Sequence, residues 1–210
     1  MSQHTGQPAN PIVKKGDYVL KGQKIGESAG AVSVPVHASV SGIVADVRPY
    51  NHPVMNQPVT AVLIDSDGLD KSIAPGRVCP DYDRCAPDQL REIIKEAGVV
   101  GLGGAAFPTH VKLSPPKKID TVIANGCECE PYLTCDDRLL QEHVQEMVTG
   151  LKIIMHIVNA PAGIIAVEDN KPCAINNLKN ILSKFVDIGG KAKIKITHVR
   201  VISSLQDNGE

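Results

Sequence analysis

The chain has 210 residues, with 22 Lys and Arg against 23 Asp and Glu, 42% apolar residues, six Cys, four Tyr, two Phe and no Trp. A formal net charge of −1 without any Lys/Arg block lacks the basic footprint of a nucleic-acid binder or a membrane-surface protein. No stretch reaches the roughly 18 to 20 consecutive apolar residues that cross a bilayer, and the opening Met-Ser-Gln-His-Thr-Gly-Gln-Pro-Ala-Asn-Pro lacks the basic and apolar regions of a signal peptide. The expectation is a soluble, cytosolic chain of one or two domains without direct membrane insertion.

Between residues 11 and 64 the pattern is short apolar runs broken by Gly and Pro, at 18–20, 24–26, 32–36, 42–47 and 59–64. Alternation such as Val32/Val34/Val36, with turns at Lys15-Gly16-Asp17 and Lys21-Gly22-Gln23, predicts a small all-β unit. Asp65-Ser66-Asp67-Gly68 reads as a turn and Ala74-Pro75-Gly76-Arg77-Val78-Cys79-Pro80 as a linker, so the expected boundary divides residues 1–74 from 75–210.

Past the linker the period changes. Pro87-Asp88-Gln89 opens a helix with Leu90, Ile93, Ile94 and Ala97 at helical spacing, and Gly98 is its left-handed stop. Residues 119–124 predict a buried strand, and one long helix follows, with Leu140, Val144, Met147, Leu151, Ile154 and Val158 along one face. Residues 163–167 predict the next strand, Glu168-Asp169-Asn170-Lys171-Pro172 a turn, and Ile175, Leu178, Leu182 and Phe185 a third helix face; residues 193–201 close with a last strand. Strands separated by helices imply crossovers and a mainly parallel sheet, with ligands at the carboxyl ends of its strands.

Cys79, Cys85, Cys127, Cys129, Cys135 and Cys173 form neither the paired knuckles of a zinc site nor a ferredoxin run. They are expected as reduced thiols, with no metal site and no disulfide framework. His110, His143, His156 and His198 are scattered and read as surface or packing residues.

Two segments carry chemistry. Val99-Val100-Gly101-Leu102-Gly103-Gly104-Ala105-Ala106-Phe107-Pro108-Thr109-His110-Val111-Lys112 follows a helix rather than a strand, so it lacks the context of a dinucleotide fingerprint or a P-loop. Its glycines permit close backbone approach to a phosphate, with Lys112, Lys117 and Lys118 adding positive charge, but equally a tightly packed loop. Ile123-Ala124-Asn125-Gly126-Cys127-Glu128-Cys129-Glu130-Pro131 continues the predicted strand past its carboxyl end. Asn125 there can donate and accept at a heteroaromatic edge, while the two glutamates also suit a solvated loop.

These segments, with Asp136-Asp137-Arg138, resemble the flavin-binding subunit of respiratory complex I and, more closely, the RnfC subunit of the Rnf electron-transport complexes. Gln7-Pro8-Ala9, Gly16-Asp17-Tyr18-Val19, Gly22-Gln23-Lys24-Ile25-Gly26 and Pro35-Val36-His37-Ala38-Ser39-Val40-Ser41-Gly42 resemble the barrel-sandwich domain that precedes the flavin domain. The resemblance implies an α/β chain: residues 1–74 an all-β barrel-sandwich hybrid of biotinyl/lipoyl type, residues 75–210 an incomplete Rossmann-like FMN/NADH-binding domain. Residues 27–34, where a carrier hairpin would bear its modified Lys, contain none, so that domain is expected to be structural or docking.

By the same resemblance, Gly101, Gly103 and Gly104 approach FMN through their backbone and Lys112 contacts flavin or nucleotide. Asn125, Glu128 and Cys129 edge the FMN, and Glu130 faces the nicotinamide of NAD(H). The complex I relative carries Asp at the position of Cys127 and Ser at that of Cys129, where a thiol is the weaker hydrogen-bond partner. The family's cluster-binding domain is expected beyond Glu210, so 4Fe-4S clusters belong to that absent region and the chain is read as a fragment. The implied function is electron transfer between NAD(H), FMN and iron–sulfur carriers, on the cytoplasmic side of a membrane complex whose other subunits, and ferredoxin or an equivalent carrier, are its partners. A non-catalytic docking module and the flavin domain of a cobalamin reductase are the alternatives.

Overall fold

The structure is a computed structural model and describes residues 1–52, 57–74, 79, 81–102, 105–128, 132–184 and 193–199. Phe185, residues 200 and 201 of the last predicted strand, and most of the predicted linker lie outside them. The described chain divides into two compact units, Met1–Pro115 and Pro116–Glu210, so residues 75–115 group by compactness with the β strands.

The first unit contains β1 (Asn10–Pro11), β2 (Tyr18–Val19), β3 (Lys24–Glu27), β4 (Val36–His37), β5 (Gly42–Asn51) and β6 (Pro58–Ser66). They form two three-stranded antiparallel sheets, ordered β1-β3-β4 and β2-β5-β6. Alternation along β5 sends Val44 inward and leaves Ile43 52% exposed, and Val44 joins Ala9, Val19, Ile25, Val36 and Ala38 in one apolar core.

The run at 32–36 is strand only at its end. Ser33, Val34, Pro35 and Val36 are buried consecutively rather than alternately. Pro35 has no N–H to give a ladder, and the Val34 N–H goes instead to Nε2 of the buried His4, at 3.3 Å. A polar cluster closes the same unit: Asp67 accepts from the Tyr18 hydroxyl at 2.6 Å, the Ser41 hydroxyl at 2.7 Å and the Leu69 N–H at 3.0 Å. The Tyr18 hydroxyl first, then the Leu69 N–H and Ser41, hold the Asp67 carboxyl down at about 2. A depressed carboxyl stabilises the fold above its unfolded value of 3.8 and loses that contribution as pH falls through about 2. In an NMR titration the Asp67 carboxyl carbon should therefore shift near pH 2, and Tyr18→Phe should move that midpoint upward; a midpoint near 4 in the unsubstituted chain would rule out this cluster.

Helix α1 (Pro87–Glu96) begins with proline in its first turn, buries Leu90 and stops at Gly98, whose φ is +68°. Lys24 of β3 reaches Glu96 at 2.5 Å. A 3-10 turn, Tyr82–Arg84, folds the preceding segment back on itself and joins Cys79 to Cys85 as a disulfide. This corrects the expectation of free thiols at those two positions, because sequence spacing does not reveal such a reversal. Cys127, Cys135 and Cys173 are free.

The second unit contains β7 (Thr121–Gly126), α3 (Cys135–Glu142), α4 (Val144–Val158), β8 (Ala162–Glu168), α5 (Pro172–Lys184) and β9 (Lys193–Val199). The strands form a parallel sheet ordered β7-β8-β9, with Ile123, Ile164 and Lys195 in one cross-strand row. Leu140, Val148, Leu151, Met155, Ala174, Ile175 and Leu178 of the helices pack on Ile165 and Val167. The sheet's alternate residues on β7 and β9, among them Ile123 at 62% exposure, Asn125, Lys193, Lys195 and Thr197, are exposed.

The single long helix expected from the apolar spacing is interrupted at His143, with φ −126° and ψ 32°, so α3 and α4 are separate. The pattern ran through the break because Leu140 and Val144 keep a helical step across it; neither proline nor glycine stands there. No helix among the described residues is long and apolar enough to cross a membrane.

Candidate functional site

The glycine-rich segment lies in the first unit. An antiparallel bridge pairs Val100 with Pro108, and the Gly101 N–H donates to the Phe107 carbonyl at 3.0 Å. Leu102 is 95% exposed on it, and Ala106 takes a left-handed φ of +49°. The Thr5 N–H donates to the Ala106 carbonyl at 3.2 Å and the Thr5 hydroxyl to that of Ala105, anchoring the loop to the amino-terminal segment. Helix α2 (Thr109–Lys112) follows, with Lys112 exposed. His110 is half-buried there with Nδ1 unpartnered, and burial, then Lys95, lowers its pKa, which favours neutral imidazole at pH 7. Gly101 and Lys112 are thus placed; Gly103 and Gly104 lie outside the described residues.

The second set lies in the second unit, at the carboxyl end of the parallel sheet. Asn125 is exposed near the end of β7, and its Oδ1 accepts the Cys127 N–H at 3.2 Å, which orients the carboxamide and leaves its NH₂ as the donor it offers a ligand. Burial, then the Glu168 carboxylate, pushes the Cys127 thiol up, so it is protonated at neutral pH and a weak nucleophile. Cys129 and Glu130 lie outside the described residues.

Glu128 is the most constrained residue of the set. Its side chain is only 4% exposed, one oxygen accepts the Asp136 N–H at 2.7 Å, and the other lies 3.1 Å from the Lys171 ammonium. Lys171 stands where β8 turns into α5 and is also 3.9 Å from Glu168 at the end of β8. Burial would raise the Glu128 carboxyl, but the Asp136 N–H and Lys171 outweigh it and hold it below its ordinary range. The bond to Glu128 likewise raises Lys171 against the cost of burial. Lys171 and Glu168 escaped the sequence reading, which saw only a polar turn; a Lys directly before the helix-opening Pro172, next to a strand's carboxyl end, was the available signal.

Exposed Asn125, the backbone around Gly126 and Cys127, and the open row through Ile123 suit the edge and apolar face of a planar heteroaromatic group such as a flavin. The profile described as Complex1_51K, Nuo51 FMN-binding domain, matches residues 94–203. The chain belongs to this family. A second profile, the RnfC barrel sandwich hybrid domain, matches residues 1–69.

Among curated relatives of this family member, the C subunit of the Na(+)-translocating ferredoxin:NAD(+) oxidoreductase complex of Acetobacterium woodii is 51% identical over 183 residues, covering 85% of this chain and 40% of the relative. The C subunit of the proton-translocating ferredoxin:NAD(+) oxidoreductase complex of Clostridium ljungdahlii is 45% identical over 179 residues, covering 84% and 39%. The C subunit of the ion-translocating oxidoreductase complex of Haemophilus influenzae strain PittEE is 42% identical over 192 residues, covering 90% and 29%. The chain therefore spans 40% or less of the length of each of these three.

Proposed function

We propose that this chain is the flavin-binding part of an electron-transfer subunit in a membrane-associated, ion-translocating NAD:ferredoxin oxidoreductase. The match of residues 94–203 to an FMN-binding domain carries the reading, and the names of relatives at 41–51% identity supply its chemical setting. Residues 1–74 serve as a barrel-sandwich module and residues 75–210 as a Rossmann-like flavin domain. FMN held by this domain would supply the link between two-electron hydride exchange with a nicotinamide and single-electron exchange with iron–sulfur carriers.

The chain's own residues bind and orient. Gly101, Gly103 and Gly104 allow close backbone approach, and Lys112 supplies positive charge toward phosphate. Asn125, Glu128 and Cys129 line the flavin edge, and Glu130 faces the nicotinamide of NAD(H). Other subunits of the complex are its partners, ferredoxin or an equivalent carrier exchanges electrons with the assembly, and the subunit is peripheral on the cytoplasmic side of the membrane.

The test is a flavin titration of the chain extended at its carboxyl end to the length of its relatives. The extended protein should bind FMN, and NADH should bleach the bound flavin's visible absorption. Lys112→Ala should weaken binding by about tenfold, the loss expected for one charge-assisted contact; unchanged affinity would remove Lys112 from the site. Failure to retain FMN would overturn the flavin reading and favour a docking module.

A further inference from the structure

We propose that His110 is a pH-sensitive latch: with its ring neutral it holds α2 against the amino-terminal segment and the 31–37 stretch, and with its ring charged it releases them. The inference stands apart from the flavin reading. It holds whether or not the chain binds FMN.

Stretches that are distant in sequence form a seam within the first unit. Residues 4–7 and 31–37 lie in the part matched by the barrel sandwich profile, whereas the end of α1 and all of α2 lie in the part matched by the FMN-binding profile. The Thr5 N–H donates to the Ala106 carbonyl at 3.2 Å and its hydroxyl to that of Ala105, while Lys24 reaches Glu96 at 2.5 Å. At the end of α1, Gly98 passes so close that an added Cβ would lie 2.8 Å from the Pro35 carbonyl oxygen and 3.2 Å from the His37 ring. Buried His4 ties the amino-terminal segment to the same stretch: its Nε2 accepts the Val34 N–H at 3.3 Å, and its Nδ1 lies 3.1 Å from the Thr5 carbonyl.

His110 of α2 enters this seam with a nitrogen left over. Its Nδ1 is buried and has no hydrogen-bond partner among the described residues. A neutral imidazole can leave one nitrogen there as a bare acceptor, but the charged ring must carry an N–H on both, and a buried donor without an acceptor is the costlier state. The surroundings act in the same direction. Burial first, then the Lys95 ammonium of α1, and least of all His4, disfavour the charged ring; Glu92 and the Ala31 backbone favour it and are outweighed, so the ring titrates below its ordinary 6.5. A base held neutral in the closed seam, and free to charge at about 6.5 once released, contributes stability that is whole above that value and is lost as pH falls below it. Acid therefore opens the seam.

Hydrogen exchange in the 210-residue chain tests the latch, read as protection factors so that the intrinsic pH dependence of exchange is removed. The probes are the amides of Thr5 and Val34, whose N–H groups close the seam, with β8 as the internal reference. Between about pH 7.5 and about pH 5.5 both should lose at least about threefold in protection while β8 holds. His110→Gln, which keeps a polar side chain but cannot titrate, should abolish that ratio whatever its absolute protection. By NMR the His110 ring should titrate below 6.5, and Lys95→Met should move its midpoint upward. Protection independent of pH in the unsubstituted chain overturns the latch. A ratio that survives in His110→Gln belongs to another group and overturns it as well, as does a ring midpoint at or above 6.5. Far-UV circular dichroism shows whether His110→Gln folds; if it does not, Lys95→Met decides, and an unmoved midpoint in that variant overturns the proposal.

Discussion

Leu178→Ala is expected to destabilise the α/β unit by about 3 kcal/mol, and with it to lower the melting temperature of that unit by about 10 to 20 °C. Leu178 has no exposed surface and lies on α5 within the cluster of Leu140, Val148, Leu151, Met155, Ile165 and Val167. Removing its branched end forfeits transfer free energy and leaves a void that a sheet and two helices cannot close by small shifts, because their own side chains are already interlocked. The control is Leu139→Ala, one residue before buried Leu140 but 50% exposed, which should cost no more than about 0.5 kcal/mol. Urea denaturation followed by circular dichroism measures both. A loss below about 1 kcal/mol for Leu178→Ala would mean that α5 does not seal this core.

Gly42→Ala should cost the β unit a comparable amount, about 3 kcal/mol, through backbone strain and overlap rather than a cavity. Gly42 has φ +155°, opens β5, and pairs with Val19 on one side and Ser66 on the other. A Cβ there would overlap the backbone carbonyl oxygen of Asp65, which is held in the ladder opposite Ile43 and cannot turn aside as a side chain would. Gly68→Ala is the comparison: its φ is +69° but nothing lies within 4 Å of an added Cβ, so only the conformational cost of about 1 kcal/mol remains. Equal losses for the two substitutions would show that the overlap at Asp65 relaxes freely.

Elements governed by near neighbours were legible in the sequence. The helix of Ile175, Leu178 and Leu182 follows from its own spacing, α1 ends at Gly98 as a left-handed stop requires, and the β7, β8 and β9 runs pair in parallel because helices intervene. Elements decided by a distant partner were not. The 32–36 run looks like a full strand, yet Pro35 and the claim of His4 on Val34 restrict pairing to its end. The Cys79–Cys85 join needed the intervening turn, and the break at His143 carries no local signal.

The candidate site divides along the same line. Polar residues at and just past the end of the predicted strand marked Asn125 and Glu128 as lying at the carboxyl end of the sheet, where crossover topology puts ligands, although β7 is half exposed rather than the buried strand its apolar run suggests. Nothing in that stretch announces Lys171, 43 residues beyond Glu128, since a Lys in a polar turn ordinarily reads as solvated.

By itself the sequence determined the change of period from short strands to alternating helices and strands, the near-neutral charge, and the two segments in which chemistry is concentrated. Those properties depend on residue type and on steps of one to four residues, which set local backbone and side-chain direction. Only the tertiary structure decided that Glu128 turns inward, that Lys171 neutralises it, and that the amides of α3 complete its coordination. A buried carboxylate persists only where a cation and hydrogen-bond donors converge on it, and that convergence exists only once β7, α3 and the β8–α5 turn have folded together.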